Sequence, residues 1–182
     1  MRRWIYKSMS DAGLMAAYAR GQSDAFECLY LRHKQKLYSF LRRQCNNSAI
    51  AEELTHDTWM AVIRRAQDYS PKAKFTTWVF QIAHNRLIDH WRKQGRSTDY
   101  LEHQIADQIE PQIDIGSSNI QLNELIEKLK MLPPAQVEAL LLKIEGFSHA
   151  EIASITEAKQ ETVKSRLRYA TQQLRKSVEV PS

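Results

Sequence analysis

Apolar residues return every three or four positions along two long blocks of this chain, the spacing of one face of a helix. Ser10-Asp11 offers a cap for a short helix running to Arg20, and Gly21 ends it. Ser23 opens a long helix with Phe26, Leu29, Tyr30, His33, Leu37, Phe40 and Leu41 on one face. Asn46-Asn47-Ser48 breaks that helix and caps a third. The third helix turns Ala51, Leu54, Thr58, Val62 and Ala66 one way, and Trp59 and Ile63 widen this face. Tyr69 to Lys74 reads as a loop, because Pro71 disfavours a helical Ser70. A fourth helix starts near Thr76 and runs to about Arg96, with Phe75, Trp78, Val79, Ile82, Ala83 and Leu87 on one side.

The periodicity dissolves from Ser97 to Ser118, where Pro111 and Gly116 interrupt and Asp99, Glu102, Asp107, Glu110 and Asp114 make the stretch acidic. Such a composition suits a flexible linker, with room for a short helix. Periodicity resumes with Leu122, Leu125, Ile126 and Leu129 and stops at Pro133-Pro134. Pro134 also suits the first turn of the next helix, whose face is Val137, Leu140, Leu141 and Ile144 and whose stop is Gly146. Ser148-His149-Ala150-Glu151 is a capping box ahead of a short helix holding Ile152, Ala153 and Ile155. After a turn, the last helix spans about Gln160 to Val178. The expected fold is therefore all-α, with two small helical domains at residues 10–96 and 119–178 joined by an acidic linker at 97–118.

Composition narrows the class. The chain has 182 residues, 43% of them hydrophobic, and a formal net charge of +5, a modest basic excess that suits an anionic partner as well as plain solubility. Cys28 and Cys45 are the only cysteines and form no CxxC pair, which implies a reducing cytoplasm. The basic N-terminus lacks an apolar segment behind it, and no apolar run reaches the roughly 18 residues that would read as a membrane span.

Three side-chain constellations carry candidate chemistry. The last two helices read as a helix-turn-helix: the second bears Lys164, Arg166, Arg168, Arg175 and Lys176, while Val163, Leu167, Ala170 and Leu174 recur at docking spacing. A helix of this width enters the DNA major groove, where Arg reads guanine and Lys or Thr mostly holds phosphates. The alternative is a solvated basic helix, and the capping box, short helix and turn ahead of it weigh against that. In the N-terminal half, Lys72, Lys74, Phe75, Trp78 and Phe80 precede His84, Asn85, Arg86, His90, Trp91, Arg92, Lys93 and Arg96. Aromatics interleaved with cations suit single-stranded DNA, whose bases stack and whose phosphates need countercharge. The competing reading puts Phe75 and Trp78 in the core. Third, Glu52, Glu53 and Asp57 form an acidic patch, either a helix-start device or a docking surface for a basic protein.

In this order, the pieces resemble the extracytoplasmic-function sigma factors of bacterial RNA polymerase. AEELTHDTW (Ala51 to Trp59) is similar to the family's polymerase-binding segment, and FTTWVFQIAHNRLIDHWRK (Phe75 to Lys93) to its promoter-melting helix. LPPAQVEALLLKIEGFSHAEIA (Leu132 to Ala153) with TVKSRLRYA (Thr162 to Ala170) is similar to its minus-thirty-five-reading domain. The resemblance implies that Glu52, Glu53, Leu54 and Asp57 bind the β′ clamp helices and that the loop Tyr69 to Thr77 captures a flipped base. It implies minus-ten and single-strand contacts by Lys72, Lys74, Phe75, Thr76, Trp78, Asn85, Arg86, Arg92 and Lys93, and minus-thirty-five contacts by Thr162, Lys164, Ser165, Arg166, Arg168 and Tyr169. It further implies core RNA polymerase (clamp helices and β flap), promoter DNA and an anti-sigma protein as partners, with the acidic linker threading the RNA exit path.

The sequence departs from that family at the helix-turn-helix turn, Ile155-Thr156-Glu157-Ala158-Lys159, where Glu157 stands in place of a Gly that would relieve a positive φ. Glu161 replaces another Gly, and Tyr169 and Thr171 replace common arginines. Two other readings compete: a helix-turn-helix regulator with a sensing or dimerisation domain, and a metal-dependent nuclease using His84, Asp89 and His90. The acidic patch beside a basic aromatic helix argues against the first. Against the second, the three residues share no tight helix face, and the chain lacks HExxH, GxSxG and a Gly-rich phosphate loop. The expectation is a non-enzymatic protein with no catalytic residues, metal, cofactor or small-molecule substrate.

Overall fold

The computed structural model describes residues 6–45, 47–94 and 132–178, with side chains in the last helix described as far as 175. Every regular element among these residues is helical. Seven α-helices are described: α1 (Asp11–Ala19), α2 (Ser23–Cys45), α3 (Ser48–Arg64), α4 (Phe75–Lys93), α5 (Pro134–Ile144), α6 (His149–Ile155) and α7 (Gln160–Val178). A 3-10 turn, Ala66–Asp68, follows α3. The linker at 97–118, Arg96, and the helix expected around Leu122 to Leu129 lie outside the described residues. The chain divides into two compact units, the first spanning Met1–Asp89 and the second taking most of the chain from His90 onward.

In the first unit, local chemistry sets the helix ends. The Ser10 side chain accepts from the Gly13 N–H to start α1, and Gly21 at φ +89 takes the chain out of it. The Asn47 side chain accepts from the Ile50 N–H at 3.2 Å to start α3. α1 and α3 both pack on α2. Leu14, Met15, Leu29, Leu37, Phe40, Leu41, Val62, Val79 and Phe80 are wholly buried, and the Phe40 and Phe80 rings lie 5.1 Å apart. Full burial of one such side chain stabilises by about 1.5–3 kcal/mol, so this core outweighs any single surface contact.

Four positions expected on buried faces are not buried. Tyr30 and Ile63 are exposed, and in the second unit Ile144 is 67% exposed with Leu140 only half-buried. The spacing placed each at the edge of its stripe, and helix packing buries only the stripe's centre. In α5 that centre is Pro134, Val137, Glu138, Leu141 and Leu142.

In the second unit, Pro134 occupies the first turn of α5, and Gly146 at φ +92 ends it. The Phe147 N–H donates back to the Leu142 carbonyl at 3.1 Å. The capping box closes in both directions: the Glu151 N–H donates to Ser148 Oγ at 3.3 Å, and the Ser148 N–H donates to Glu151 Oε2 at 2.8 Å. Ile152, Ala153 and Ile155 are buried, as the spacing predicts. Glu157 is the one non-glycine residue with positive φ among the described residues, at +53. Beyond this turn α7 packs against α5, and its Val163, Leu167 and Ala170 are buried.

Candidate nucleic-acid interface

Helix α7 separates its side chains by face. Val163, Leu167 and Ala170 point inward and Leu174 is half-buried, a row at i, i+4, i+7 and i+11. Thr162, Lys164, Arg168, Tyr169 and Arg175 are exposed, and Ser165 and Arg166 are half-buried beside them. The cationic side of the helix therefore faces solvent and leaves a surface for a groove. Lys164 Nζ donates to Glu161 Oε1 at 2.7 Å, one turn back. The Arg168 guanidinium lies 5.3 Å from the Tyr169 ring centroid, a cation–π contact that ties an aromatic ring to the basic face. All six residues expected at the upstream element thus share one helix, with Thr162, Lys164, Arg168 and Tyr169 outermost.

The second cluster lies on the loop after the 3-10 turn and on α4. Lys72 and Lys74 are exposed on the loop, Thr76 and Trp78 are half-buried in the first turn, and Asn85, Arg92 and Lys93 are exposed farther along, with Arg86 half-buried. Asn85, Asp89, Arg92 and Lys93 fall on one helical row, which gives α4 a polar outer stripe with two cations and one acid. The aromatic half of the expected pattern is corrected. Phe75, Phe80 and Trp91 are buried, as is His84, so these rings build the core and present no open face to solvent. Phe75 packs on His33 at 5.3 Å between ring centroids, and helix α4 has too narrow a solvent face for every aromatic to lie on it.

Sequence spacing gave no sign of the hydrogen-bond chain beneath this loop. The Tyr69 hydroxyl donates to the Ala73 carbonyl at 2.9 Å, closing the loop on itself. The Tyr69 ring meets Phe75 at 6.1 Å and Trp78 at 5.3 Å. Below them, His33 Nε2 lies 2.8 Å from Asp11 Oδ2, and Asp11 also pairs with Arg32. An ionised carboxylate only accepts, so Nε2 carries the proton in this contact. Burial holds the His33 imidazole below the usual histidine range, against the opposing pull of Asp11. Burial also pushes the Tyr69 phenol up, with Asp11 adding to the effect, so it stays a donor.

The third cluster is on α3. Glu52, Glu53 and Asp57 are exposed, whereas Leu54 is buried at 4% exposure. Leu54 therefore anchors the helix, and its side chain offers a partner no surface. The first turn of α3 holds no acid, so Glu52 and Glu53 sit beyond the reach of the helix-start dipole. Glu52, Thr55, His56 and Trp59 of α3 line an open groove of about 330 Å³ with Tyr30, Lys34 and Tyr38 of α2. The Tyr30 and Trp59 rings stand edge to face at 5.2 Å, and Met60 and Ile63 are exposed large apolar residues of the same helix. Acids beside exposed apolar side chains form the kind of mixed surface used for protein docking.

The nuclease arrangement is not assembled. His84 is buried while Asp89 is exposed, and no group of three or more His, Cys, Asp or Glu that could hold a metal ion occurs among the described residues. No helix among them is long and apolar enough to cross a membrane.

A capped short helix, a tight turn and a long helix with an outward basic face define a helix-turn-helix protein of the kind that reads duplex DNA. Comparison with known proteins narrows the class. Residues 29–97 match the Sigma-70 region 2 model, and residues 122–174 match the Sigma-70 region 4 model. The chain is 32% identical over 142 residues to the RNA polymerase sigma factor CarQ of Myxococcus xanthus, covering 78% of this chain and 82% of CarQ. It is 27% identical over 173 residues to the ECF RNA polymerase sigma factor SigW of Bacillus subtilis, covering 87% and 91% of the two chains. Among solved structures it is similar to the sigma factor RpoE in complex with the anti-sigma factor NepR from Bartonella quintana. That match has a TM-score of 0.67 and 26% identity, and covers 86% of this chain and 98% of RpoE. CnrH, solved in complex with the cytosolic domain of CnrY, shares the fold at a TM-score of 0.69 and 24% identity, covering 94% of this chain and 99% of CnrH. The chain belongs to the extracytoplasmic-function branch of the sigma-70 family and is an RNA polymerase sigma factor.

Proposed function

We propose that this sigma factor docks on the β′ clamp helices of core RNA polymerase through the exposed acids of α3, Glu52, Glu53 and Asp57. In this reading residues 10–96 form the polymerase-binding and minus-ten module, residues 97–118 the tether, and residues 119–178 the minus-thirty-five module, which also contacts the β flap. The loop with Lys72 and Lys74 meets the unpaired strand, with Thr76 and Trp78 beside it, and Asn85, Arg86, Arg92 and Lys93 hold the adjacent duplex. Thr162, Lys164, Ser165, Arg166, Arg168 and Tyr169 enter the upstream major groove. The protein acts in the cytoplasm by binding and positioning, with no reaction centre of its own. Because RpoE is seen with NepR, an anti-sigma protein is the natural antagonist here as well.

The observation that carries this reading is the division of charge. Within one family-matched chain, α7 turns its cations outward over an apolar docking row, while α3 turns acids outward beyond its first turn. A cationic helix suits a polyanion, and an acidic face suits a basic protein surface. The test is run-off transcription with core polymerase on a genomic template pool, followed by mapping of start sites. Discrete starts that share an upstream and a downstream element are expected. Absence of initiation above core polymerase alone would overturn the proposal.

A further inference from the structure

The loop from Tyr69 to Lys74 has little backbone bonding of its own. The Ala73 N–H donates to the Ser70 carbonyl at 3.2 Å, a single turn bond across the tip. Yet the loop carries Lys72 and Lys74, which the proposed function sets against the unpaired strand. What closes it is a side chain: Tyr69 reaches across the turn, and its hydroxyl donates to the Ala73 carbonyl at 2.9 Å.

That side chain is itself held. Its ring leans on Phe75 at 6.1 Å and Trp78 at 5.3 Å, and these two rings are 6.2 Å apart, so the three form one cluster. Phe75 is 2% exposed and rests on His33, which is fixed by the 2.8 Å contact to Asp11. Arg32, paired with the same Asp11, also donates to the Met9 carbonyl at 3.2 Å and the Lys7 carbonyl at 3.3 Å. A continuous line of contacts therefore runs from the segment before α1, through the part-buried Asp11–His33 pair, to the tip-closing hydroxyl.

We propose that Tyr69 is a positioning residue: its hydroxyl latches the Tyr69–Lys74 loop in one shape and thereby sets how strictly that loop discriminates among unpaired bases. The inference rests on the reading that the loop meets the unpaired strand. A loop held in its binding shape avoids the ordering cost on contact, and a correct base alone can then exploit the fixed geometry. Phe75 supports the latch from the core, whereas the Tyr69 hydroxyl acts at the surface and can be removed without emptying any packed site.

Tyr69→Phe keeps the ring cluster and deletes only the latch. Two measurements on the full-length protein are expected to change. In the free protein, the Ala73 amide exchanges faster with solvent, while amides in the middle of α4 exchange as in the parent. In holoenzyme, promoters carrying each of the four bases at every position of the melted element are compared for open-complex formation. The parent discriminates at one position at least, and Tyr69→Phe loses about three- to tenfold of that discrimination, the equivalent of one hydrogen bond. Affinity for core polymerase stays unchanged. Unaltered discrimination by Tyr69→Phe, with a discriminating parent, overturns the latch and leaves the function of the loop standing. A parent that shows no base preference anywhere in the melted element overturns the reading of the loop, and the latch with it. Unaltered exchange at Ala73 overturns the latch without reference to any promoter.

Discussion

Asp11 Oδ2 and His33 Nε2 meet at 2.8 Å across the α1–α2 interface, with the imidazole 7% exposed and Arg32 pairing with the same carboxylate. Burial dominates the titration of His33 and holds it below the ordinary histidine range of about 6.5, while Asp11 opposes and Arg32 and Lys36 assist. The folded protein therefore binds fewer protons at this site than the unfolded chain. The stability that the neutral ring supplies is present in full above the unfolded value and is lost as pH falls through the lowered folded value. The thermal midpoint is expected to drop between pH 7.5 and pH 5 (about neutral to mildly acid). His33→Gln is expected to flatten part of that slope. An identical slope in parent and His33→Gln would assign the acid sensitivity to other groups.

The acidic row of α3 gives a second test. Glu53 and Asp57 are one turn apart and exposed, and neither lies in the first turn, where an acid would serve the helix itself. Reversing both charges in Glu53→Lys with Asp57→Lys is expected to leave far-UV helicity intact. Affinity for core polymerase should fall at least about tenfold, since like charges facing each other at an interface cost several kcal/mol. Normal binding by the double variant, measured by competition with another sigma factor, would return these acids to the role of solvated surface.

Much of this arrangement was legible in the sequence, and the exceptions have physical causes. Ser10, Asn47, the Ser148–Glu151 capping box and Gly146 fix helix ends through their own side chains or backbone freedom, so local sequence sufficed. The positive φ at Glu157 was legible through the family resemblance, which places a Gly at that position of the turn. Tyr30, Ile63 and Ile144 read as apolar-face residues, but which edge of a stripe is covered depends on the neighbouring helix. Phe75 and Leu54 fit a functional motif and a core stripe equally well in one dimension, and burial assigns their side chains to the core. The Tyr69–Ala73 latch was invisible because a side-chain bond to a loop carbonyl leaves no periodic trace.

On α7 the cations divide by expected role. Arg166→Ala is expected to lose about 1–3 kcal/mol in upstream-element binding and to relax the base preference at one position, as for an arginine that reads a base edge. Lys164→Ala is expected to weaken binding evenly across sequences and lower the salt slope by about one. Lys164 is paired with Glu161 at 2.7 Å, with Glu161 82% exposed at the side chain. Glu161→Gln therefore releases the ammonium toward phosphate, and both affinity and salt slope should rise. Binding isotherms at several salt concentrations on matched and mutated upstream elements separate these outcomes. An unchanged base preference in Arg166→Ala would remove that residue from base readout.

The turn ahead of α7 offers a test of stability without any partner. Glu157 holds φ at +53, where a side chain with a Cβ meets its own carbonyl and pays about 1–2 kcal/mol relative to a relaxed backbone. Glycine escapes that clash but loses more conformational freedom on folding, about 0.5–1 kcal/mol, so the net gain is smaller than the strain. Removing the carboxylate also deletes whatever contact it makes, and Glu157→Ala supplies the control, since it keeps the Cβ and the strain but not the charge. The expected order is therefore Glu157→Gly above Glu157→Ala by about 0.5–1 kcal/mol. Amide exchange in α7 is the readout, because the turn leads into this helix and Val163, Leu167 and Ala170 bury its inner face. Equal protection in the two variants would mean that the strain only matches the entropy cost of glycine. Greater protection in Glu157→Ala would mean that chain entropy, not the left-handed backbone, governs this position.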